Sequence, residues 1–283
     1  MIGKTILITG VSGLLGSALK QHFRSAYILA PSRIELDVTN ASHVQQYISK
    51  HQPHIIIHAA AHTNVEEAEL NPMVSEQVNV AGTQNLLQAC DEKVYFIYIS
   101  STGVYGDAQH QPWIEDDIAS PKSKHHQHKL TAEKSVKTHI NHLIIRTGWL
   151  FGENVSGKNF IINRLKEASG KSIIYADPFQ YGCPTYVGDV AKQLELLIKN
   201  NITGMVNVVN ESCMSRLTYI QQVFEYANLS VKVMPLNQPF NRLAPVSNNE
   251  CAINNRLNQL GLNIMTPAKD VLKQVVQVLV SHI

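Results

Sequence analysis

Short apolar runs rich in β-branched residues recur along the first half of the chain, separated by stretches with helical spacing. Thr5–Thr9 (TILIT) is almost wholly apolar or β-branched and stops at a glycine. That is the pattern of a strand buried on both faces in a parallel sheet. Helical spacing over 14–23 follows, then a short strand at 27–30, a helix at 42–50 and a second buried strand at 54–58 (HIIIH). Pro72 opens a long helix running to 90, since proline suits a first helical turn. A strand at 94–99, a helix at 129–138 and a strand at 142–146 continue the alternation. Past Trp149 the rhythm loosens into a strand at 204–210, a helix at 217–227, a short strand at 231–234, an Asn- and Pro-rich loop at 237–250 and a last helix at 267–279. Strands alternating with helices predict an α/β fold: a Rossmann-type doubly wound parallel sheet with a smaller C-terminal lobe. The sheet domain is expected over 1–148, completed by 183–210, and the lobe over 149–182 and 211–283.

Composition narrows the function classes. The chain has 283 residues, of which 44% are hydrophobic and 16% charged, so it can build a sizeable core and is not disordered. A net charge of +2 gives no electrostatic case for nucleic-acid binding. Four cysteines stand far apart with no CxxC pair, which indicates neither a zinc ribbon nor a disulfide framework and suits a reducing cytosol. No apolar run reaches the roughly 18 residues of a membrane span. Glycines break the apolar start and no small-residue cleavage site follows it, so no signal peptide is expected and a cytoplasmic location is.

The densest local signal is Gly10-Val11-Ser12-Gly13-Leu14-Leu15-Gly16, which follows a strand and opens a helix. Dinucleotide binding needs such a tight turn, a close backbone approach to pyrophosphate and a helix N-terminus aimed at its charge. The spacing is GxxGxxG. A ribose-binding carboxylate is expected near the end of the second strand, but the chain there reads Ala30-Pro31-Ser32-Arg33. An arginine at that place accommodates a 2′-phosphate, so NADP is favoured, with NAD left open.

The glycine loop, Asp37-Val38, Ala59-Ala60-Ala61 after HIIIH and Ser100-Ser101 after the next strand come in the order of the extended short-chain dehydrogenase/reductases, which the chain resembles. Residues 58–69 (HAAAHTNVEEAE), 146–152 (RTGWLFG) and 180–185 (QYGCPT) are similar to the dTDP-4-dehydrorhamnose reductase branch of that family. The resemblance implies that Gly10, Ser12, Gly13, Leu14, Leu15 and Gly16 hold the pyrophosphate. It implies that Ser32 and Arg33 meet the ribose phosphate and that Asp37 and Val38 border the adenine. Ala60, Ala61, His62, Thr63 and Asn79 would line the cofactor, and Lys129 would hold the nicotinamide ribose. Ser101 would bond the substrate carbonyl with Thr102 beside it. Trp149, Gln180, Cys183 and Pro184 would face a sugar nucleotide. The family's fold leaves a homodimer open.

One position departs from the family. Its proton donor is a tyrosine four residues before the lysine, and here that place holds His125; no tyrosine lies between Tyr105 and Tyr175. An imidazole's reference pKa is about 6.5. Lys122, Lys124 and Lys129 are expected to lower it by like charge. Three readings stay open: His125 is the acid; the proton comes from His126, Ser101, Tyr105 or water; or the chain is a catalytically altered, NADP-binding regulatory or scaffold protein. A metal at His125, His126 and His128 is opposed by the lysines, and 121–129 reads as a solvated basic loop entering a helix.

Other residues have structural readings. Glu66, Glu67 and Glu69 suit a turn before the Pro72 helix, where acidic residues favour the N-terminal side; Cys183 suits packing, and Trp113 suits packing in a loop able to cover the site. Related reductases often carry an arginine just before a proline in the C-terminal loop. At Pro245 the preceding residue is Ala244, with Arg242 two residues further back. The expected function is NADPH-dependent reduction of a nucleotide-linked 4-keto-6-deoxysugar, with the regulatory protein as the alternative.

Overall fold

The computed structural model describes residues 3–155 and 158–282. Its first half alternates as the pattern predicts: β1 (Thr5–Thr9), α1 (Leu14–His22), β2 (Tyr27–Leu29), α2 (Ala41–His51), β3 (Ile55–His58), α3 (Val65–Leu70), α4 (Pro72–Glu76), α5 (Gly82–Ala89), β4 (Tyr95–Ser101), α6 (Lys124–Val136) and β5 (His142–Thr147). The expected long helix after Pro72 is interrupted by a π-helical turn at Gln77–Ala81 between α4 and α5. The second half adds β6 (Leu150–Phe151), α7 (Phe160–Ala168), β7 (Ile173–Ala176), β8 (Tyr181–Gly182), β9 (Thr185–Tyr186), α8 (Val187–Lys199), β10 (Gly204–Asn207), β11 (Met214–Ser215), α9 (Arg216–Tyr226), β12 (Lys232–Pro235), β13 (Asn249–Glu250), α10 (Asn255–Gln259) and α11 (Ala268–Val280).

The central sheet is six-stranded in the order β10-β5-β4-β3-β1-β2, and every pairing in it is parallel. Ile6, Ile8, Ile55, Ile57 and Ile97 point to one face, where they pack on α1 and α8. Leu7, Ile56, Phe96, Tyr98 and Ile144 point to the other, where they pack with α2, α5 and α6. This period-two division explains why the strands read as continuous apolar runs: both faces are covered. A separate apolar cluster joins α7, α9 and α11 with β7. Among the described residues, no helix is long and apolar enough to cross a membrane.

Strand order reverses direction at β1, whose neighbours are β2 on one side and β3 on the other. A crevice opens at such a point beyond the carboxyl ends of the strands, which is where ligands bind in open α/β sheets.

The cysteine expectation needs correcting. Cys213 and Cys251 form a disulfide across a separation of 38 residues. Sequence spacing hid the pair because β11 and β13 meet only by flanking β8 in a three-stranded sheet. A loop of that length gives up to about 4 kcal/mol of stabilisation by restricting the unfolded chain. We expect the Cys213→Ser/Cys251→Ser variant to be less stable by about that amount in urea under oxidising conditions. With dithiothreitol present the two proteins should unfold alike. Equal midpoints without reductant would show that the bridge does not form.

Candidate active site

The glycine loop sits where β1 meets β3. Gly10 has φ +72°, and a Cβ there would come 2.6 Å from the Ala60 backbone nitrogen. A Cβ at Gly16 would come 2.1 Å from the Gly10 carbonyl oxygen. Both glycines are therefore required by close packing of backbone on backbone. Gly13 is the N-cap of α1 and offers no side-chain cap, so the first amides of that helix stay open to an anion. Ser12 and Gly13 are exposed, Leu14 is half-buried and Leu15 is buried in the core. This cradle fits a dinucleotide pyrophosphate.

The adenine end is equally definite. Asp37 accepts from the Thr39 amide at 3.0 Å and hydroxyl at 2.8 Å, and these bonds hold its carboxyl below the usual range. Arg33 is exposed and lies 3.6 Å from Asp37, while the Ser32 amide donates to Glu35 at 2.7 Å. Val38 is buried against Gly82, where a Cβ would come 2.9 Å from Val38 Cγ2.

A polar chain missed in the sequence runs behind the crevice. The Ala60 amide donates to Thr9 Oγ1 at 3.2 Å, and Thr9 Oγ1 lies 2.8 Å from His58 Nδ1. His58 Nε2 lies 3.1 Å from Thr83 Oγ1, which donates to the Asn79 carbonyl at 2.7 Å. Burial pushes the His58 pKa down to about 3, so the ring is neutral. Asn79 then holds the loop after β3. Its Oδ1 accepts from the His62 amide at 2.8 Å, and its Nδ2 donates to the His62 carbonyl and to Ser75 Oγ, both at 3.1 Å. His62 Nδ1 is buried without a partner, Nε2 lies 3.1 Å from Glu67, and Thr63 is exposed. The signal was the pair of histidines bracketing the apolar HIIIH run.

Helix α6 carries the departure from the family. The expected solvated basic loop is instead the first turn of this helix: Ser123 caps it, and His125, His126 and Lys129 are buried. His125 Nδ1 lies 3.5 Å from Asn79 Nδ2, and the His125 and His126 rings meet edge-on at 4.9 Å. Burial, then the neighbouring His126 and Lys129, hold the His125 pKa well below its ordinary value. The expected like-charge effect is present but secondary, and it comes from Lys129 rather than Lys122 or Lys124; Lys122 pairs with Asp107 at 2.7 Å. His126 is pushed down to about 4 by burial, Lys129 and Arg242. Its Nδ1 lies 2.9 Å from Ser123 Oγ, and its ring packs on Gly103, where a Cβ would come 2.2 Å from Nε2. His128 Nδ1 lies 3.1 Å from Ser75 Oγ.

Lys129 donates to the Ile99 carbonyl at 2.5 Å and lies 4.2 Å from the Tyr98 ring centre. Burial brings its pKa down to about 7, with Glu133 opposing. Ser101 closes β4 half-buried, and its Oγ accepts from the Gly103 amide at 3.2 Å. Thr102 is buried against Gly148, where a Cβ would come 2.3 Å from Thr102 Oγ1.

On the lobe side, Trp149 adopts φ +46°, and its Nε1 donates to Glu250 at 2.9 Å. Its ring lies over Gly182, where a Cβ would come 2.3 Å from Cε2, and under the Arg216 guanidinium at 3.3 Å. Gln180 is buried, donating to the Ser247 carbonyl at 3.4 Å and accepting from Arg216 Nε at 3.3 Å. Cys183 and Pro184 are buried; Cys183 Sγ lies 3.6 Å from the Ala252 carbonyl, and burial raises the thiol to about 11. Trp113 is packing: it is buried and stacked on Tyr105 at 5.2 Å. Glu66, Glu67 and Glu69 lie in a short helix of their own, α3, in place of the expected turn before the Pro72 helix, and Glu66 accepts from Arg242 Nε at 2.8 Å and the Ala244 amide at 3.0 Å. Beside them lies a cavity of about 500 Å³ lined by Gln180, Phe240, Arg242, Ala244, Pro245 and Asn248, among others.

A parallel sheet with a glycine cradle at its switch point, a serine at the end of β4 and a lysine on α6 define an extended short-chain dehydrogenase/reductase architecture. Residues 4–280 match the family model described as RmlD substrate binding domain, and the chain belongs to that family. It is 32% identical over 233 residues to a dTDP-4-dehydrorhamnose reductase of Aggregatibacter actinomycetemcomitans, covering 78% of this chain and 79% of that one. A Mycobacterium tuberculosis protein of the same name is 31% identical over 253 residues, covering 86% and 82%. The solved structure of a Bacillus anthracis dTDP-4-dehydrorhamnose reductase in complex with NADP aligns with TM-score 0.91 and 29% identity, over 96% of this chain and 98% of that one. A Clostridium acetobutylicum dTDP-4-dehydrorhamnose reductase aligns with TM-score 0.93 and 26% identity, over 97% and 99%.

The buried imidazoles make a stability prediction. His58, His125 and His126 have folded pKa values below the unfolded value of about 6.5. The unfolded state therefore binds more protons below pH 6.5. Stability is full above that pH and should decline as pH falls from about 6.5 towards 4. The slope approaches about 1.4 kcal/mol per pH unit for each histidine. Urea midpoints between pH 7.5 and 5 test this; a flat series would mean the rings are not held neutral.

Proposed function

We propose that this chain is an NADPH-dependent reductase of a nucleotide-linked 4-keto-6-deoxysugar, acting in deoxysugar or cell-surface polysaccharide biosynthesis. The observation that carries the reading is a serine at the end of β4 and a buried lysine on α6, in a chain that also has the glycine cradle and belongs to this family over 4–280. The named relatives are dTDP-4-dehydrorhamnose reductases, and one solved neighbour holds NADP.

Gly10, Ser12, Gly13, Leu14, Leu15 and Gly16 hold the pyrophosphate through backbone amides. Ser32 and Arg33 meet the 2′-phosphate, with Asp37 and Val38 at the adenine. Ala60, Ala61, His62, Thr63 and Asn79 form the wall beside the riboses. When bound, NADPH supplies the hydride. Ser101 bonds the substrate carbonyl, and Thr102 braces the turn that presents it. Lys129 fixes the nicotinamide ribose. Trp149, Gln180, Cys183 and Pro184 form the wall of the sugar-nucleotide pocket.

His125 takes the proton donor's place, one helical turn before Lys129. Held neutral by burial, it is a weak acid, so the reaction is slow for this family. The group that titrates near working pH is Lys129, at about 7. Its ammonium is present below that pH and lost above it. The regulatory alternative draws on the missing tyrosine alone.

NADPH oxidation followed at 340 nm with a dTDP-4-dehydro-6-deoxysugar tests the reading: we expect sugar-dependent consumption. Tight NADPH binding without consumption would support the regulatory alternative. We expect kcat/KM to fall as pH rises through about 7, and a rate flat from pH 6 to 9 would remove Lys129 from that role. His125→Tyr should raise kcat at least about tenfold, because a positioned acid contributes roughly 10²–10⁴ in rate. No gain would show that the pocket has diverged beyond this one residue.

A further inference from the structure

The lobe holds a cation whose donors are unspent. Arg216 opens α9, and three contacts fix it. Its amide donates to the Gln180 carbonyl at 2.9 Å, its Nε donates to Gln180 Oε1 at 3.3 Å, and its guanidinium carbon lies 3.3 Å from the Trp149 ring centre. Phe160 stands on a further side at 5.0 Å. The plane of the guanidinium is therefore set, while its terminal nitrogens have no hydrogen-bond partner among the described residues.

The other arginines of the lobe are engaged. Arg164 pairs with Glu167 at 2.6 Å, Arg242 pairs with Glu66 at 2.8 Å, and Arg256 donates to the Met205 carbonyl at 2.9 Å. No carboxylate lies within 4.0 Å of Arg216 among the described residues. The nearest in effect is Glu250, which is already bonded to Trp149. Burial lowers the Arg216 pKa to about 10, so the guanidinium stays charged. Arg216 is partly exposed, and an anion arriving at its fork gains charge-assisted hydrogen bonds from the terminal nitrogens.

Gln180, to which Arg216 Nε is bonded, also lines the cavity of about 500 Å³ together with Arg242. Ala244, before Pro245, is buried and carries no charge, so the place where related reductases put an arginine is empty of one. We propose that Arg216, presented from the start of α9 on the Trp149 platform, grips the diphosphate of the nucleotide-linked substrate and so determines its affinity. This rests on the sugar-nucleotide reading above. The guanidinium gives two parallel donors to one phosphate, and Trp149 and Gln180 pre-orient them, so little side-chain freedom is lost on binding.

The test is calorimetric titration of the full chain with dTDP, with thymidine and with NADPH. Arg216→Leu should weaken dTDP at least tenfold while leaving thymidine and NADPH within twofold of wild type. Arg216→Lys should fall between, because it keeps the charge and loses the fork. Unchanged dTDP affinity in Arg216→Leu with NADPH binding intact overturns the proposal. So does an equal loss of thymidine, which would make Arg216 a packing residue. If the leucine variant fails to bind NADPH, the lysine variant decides by the same comparison of dTDP with thymidine. UDP and GDP separate this proposal from the reductase reading. If no 4-keto-6-deoxysugar linked to dTDP, UDP or GDP is reduced but a diphosphate binds through Arg216, the reductase reading falls and the phosphate grip stands. If dTDP-sugar is reduced and no diphosphate depends on Arg216, the reverse holds.

Discussion

Glu133 is the pin on which the site is built. It lies fully buried in α6 and takes the Arg146 guanidinium from β5 in two bonds, at 3.0 and 2.7 Å. It also accepts from Ser100 of β4 at 2.5 Å. One carboxylate thus ties a helix to two adjacent strands in the layer just beneath the crevice. Ser101 is the next residue on β4, and Lys129 is one helical turn back on α6. Their relative position follows from that pin. A buried ion pair does little for net stability against an apolar substitute, but losing one partner costs about 3–5 kcal/mol. Its value here is geometric: the serine and the lysine come from different elements and must hold a fixed distance.

The same burial sets the electrostatics. Helix α6 turns His125, His126 and Lys129 into the protein and leaves Lys124 and Lys134 exposed, so desolvation acts on those three before any pairing does. Imidazole responds by staying neutral, and ammonium responds by titrating near pH 7. The result is a site whose charge is concentrated in one lysine, beside two neutral rings. A phenol placed four residues before that lysine would be acidified by it; an imidazole in the same place is discharged chiefly by burial, with His126 and Lys129 adding to the effect. The chemistry thus depends on which kind of acid stands there, with the fold unchanged.

The architecture was legible because its strands are buried on both faces, and that condition leaves an apolar run visible in any window. The glycine loop was legible for a related reason: backbone contacts at Gly10 and Gly16 exclude a side chain, so the sequence must show glycine. The roles of His126, Glu250 and Arg216 were not legible. Each depends on a contact between segments far apart in the chain, such as Arg216 with Gln180 or Trp149 with Glu250. The reading of 121–129 as a solvated loop failed for a definite reason. Its charges suggested water, but Ser123 caps a helix whose inner face packs against β4 and the turn after it. The bridge between Cys213 and Cys251 was hidden by the same kind of non-local pairing.

The exchange of tyrosine for His125 is not an isolated change. His126 lies over Gly103, and a side chain at 103 would meet its ring at 2.2 Å. The turn that presents Ser101 therefore has room for His126 only because 103 is glycine. In return, the ring fills the space a side chain would leave open and stacks edge-on against His125. Asn79 Nδ2 lies 3.5 Å from His125 Nδ1 and is itself held by the loop after β3. The histidine is therefore in contact with two groups, His126 and Asn79, that suit a small, neutral ring. A phenol is longer than an imidazole, so its reach, as well as its acidity, decides whether it meets the substrate oxygen.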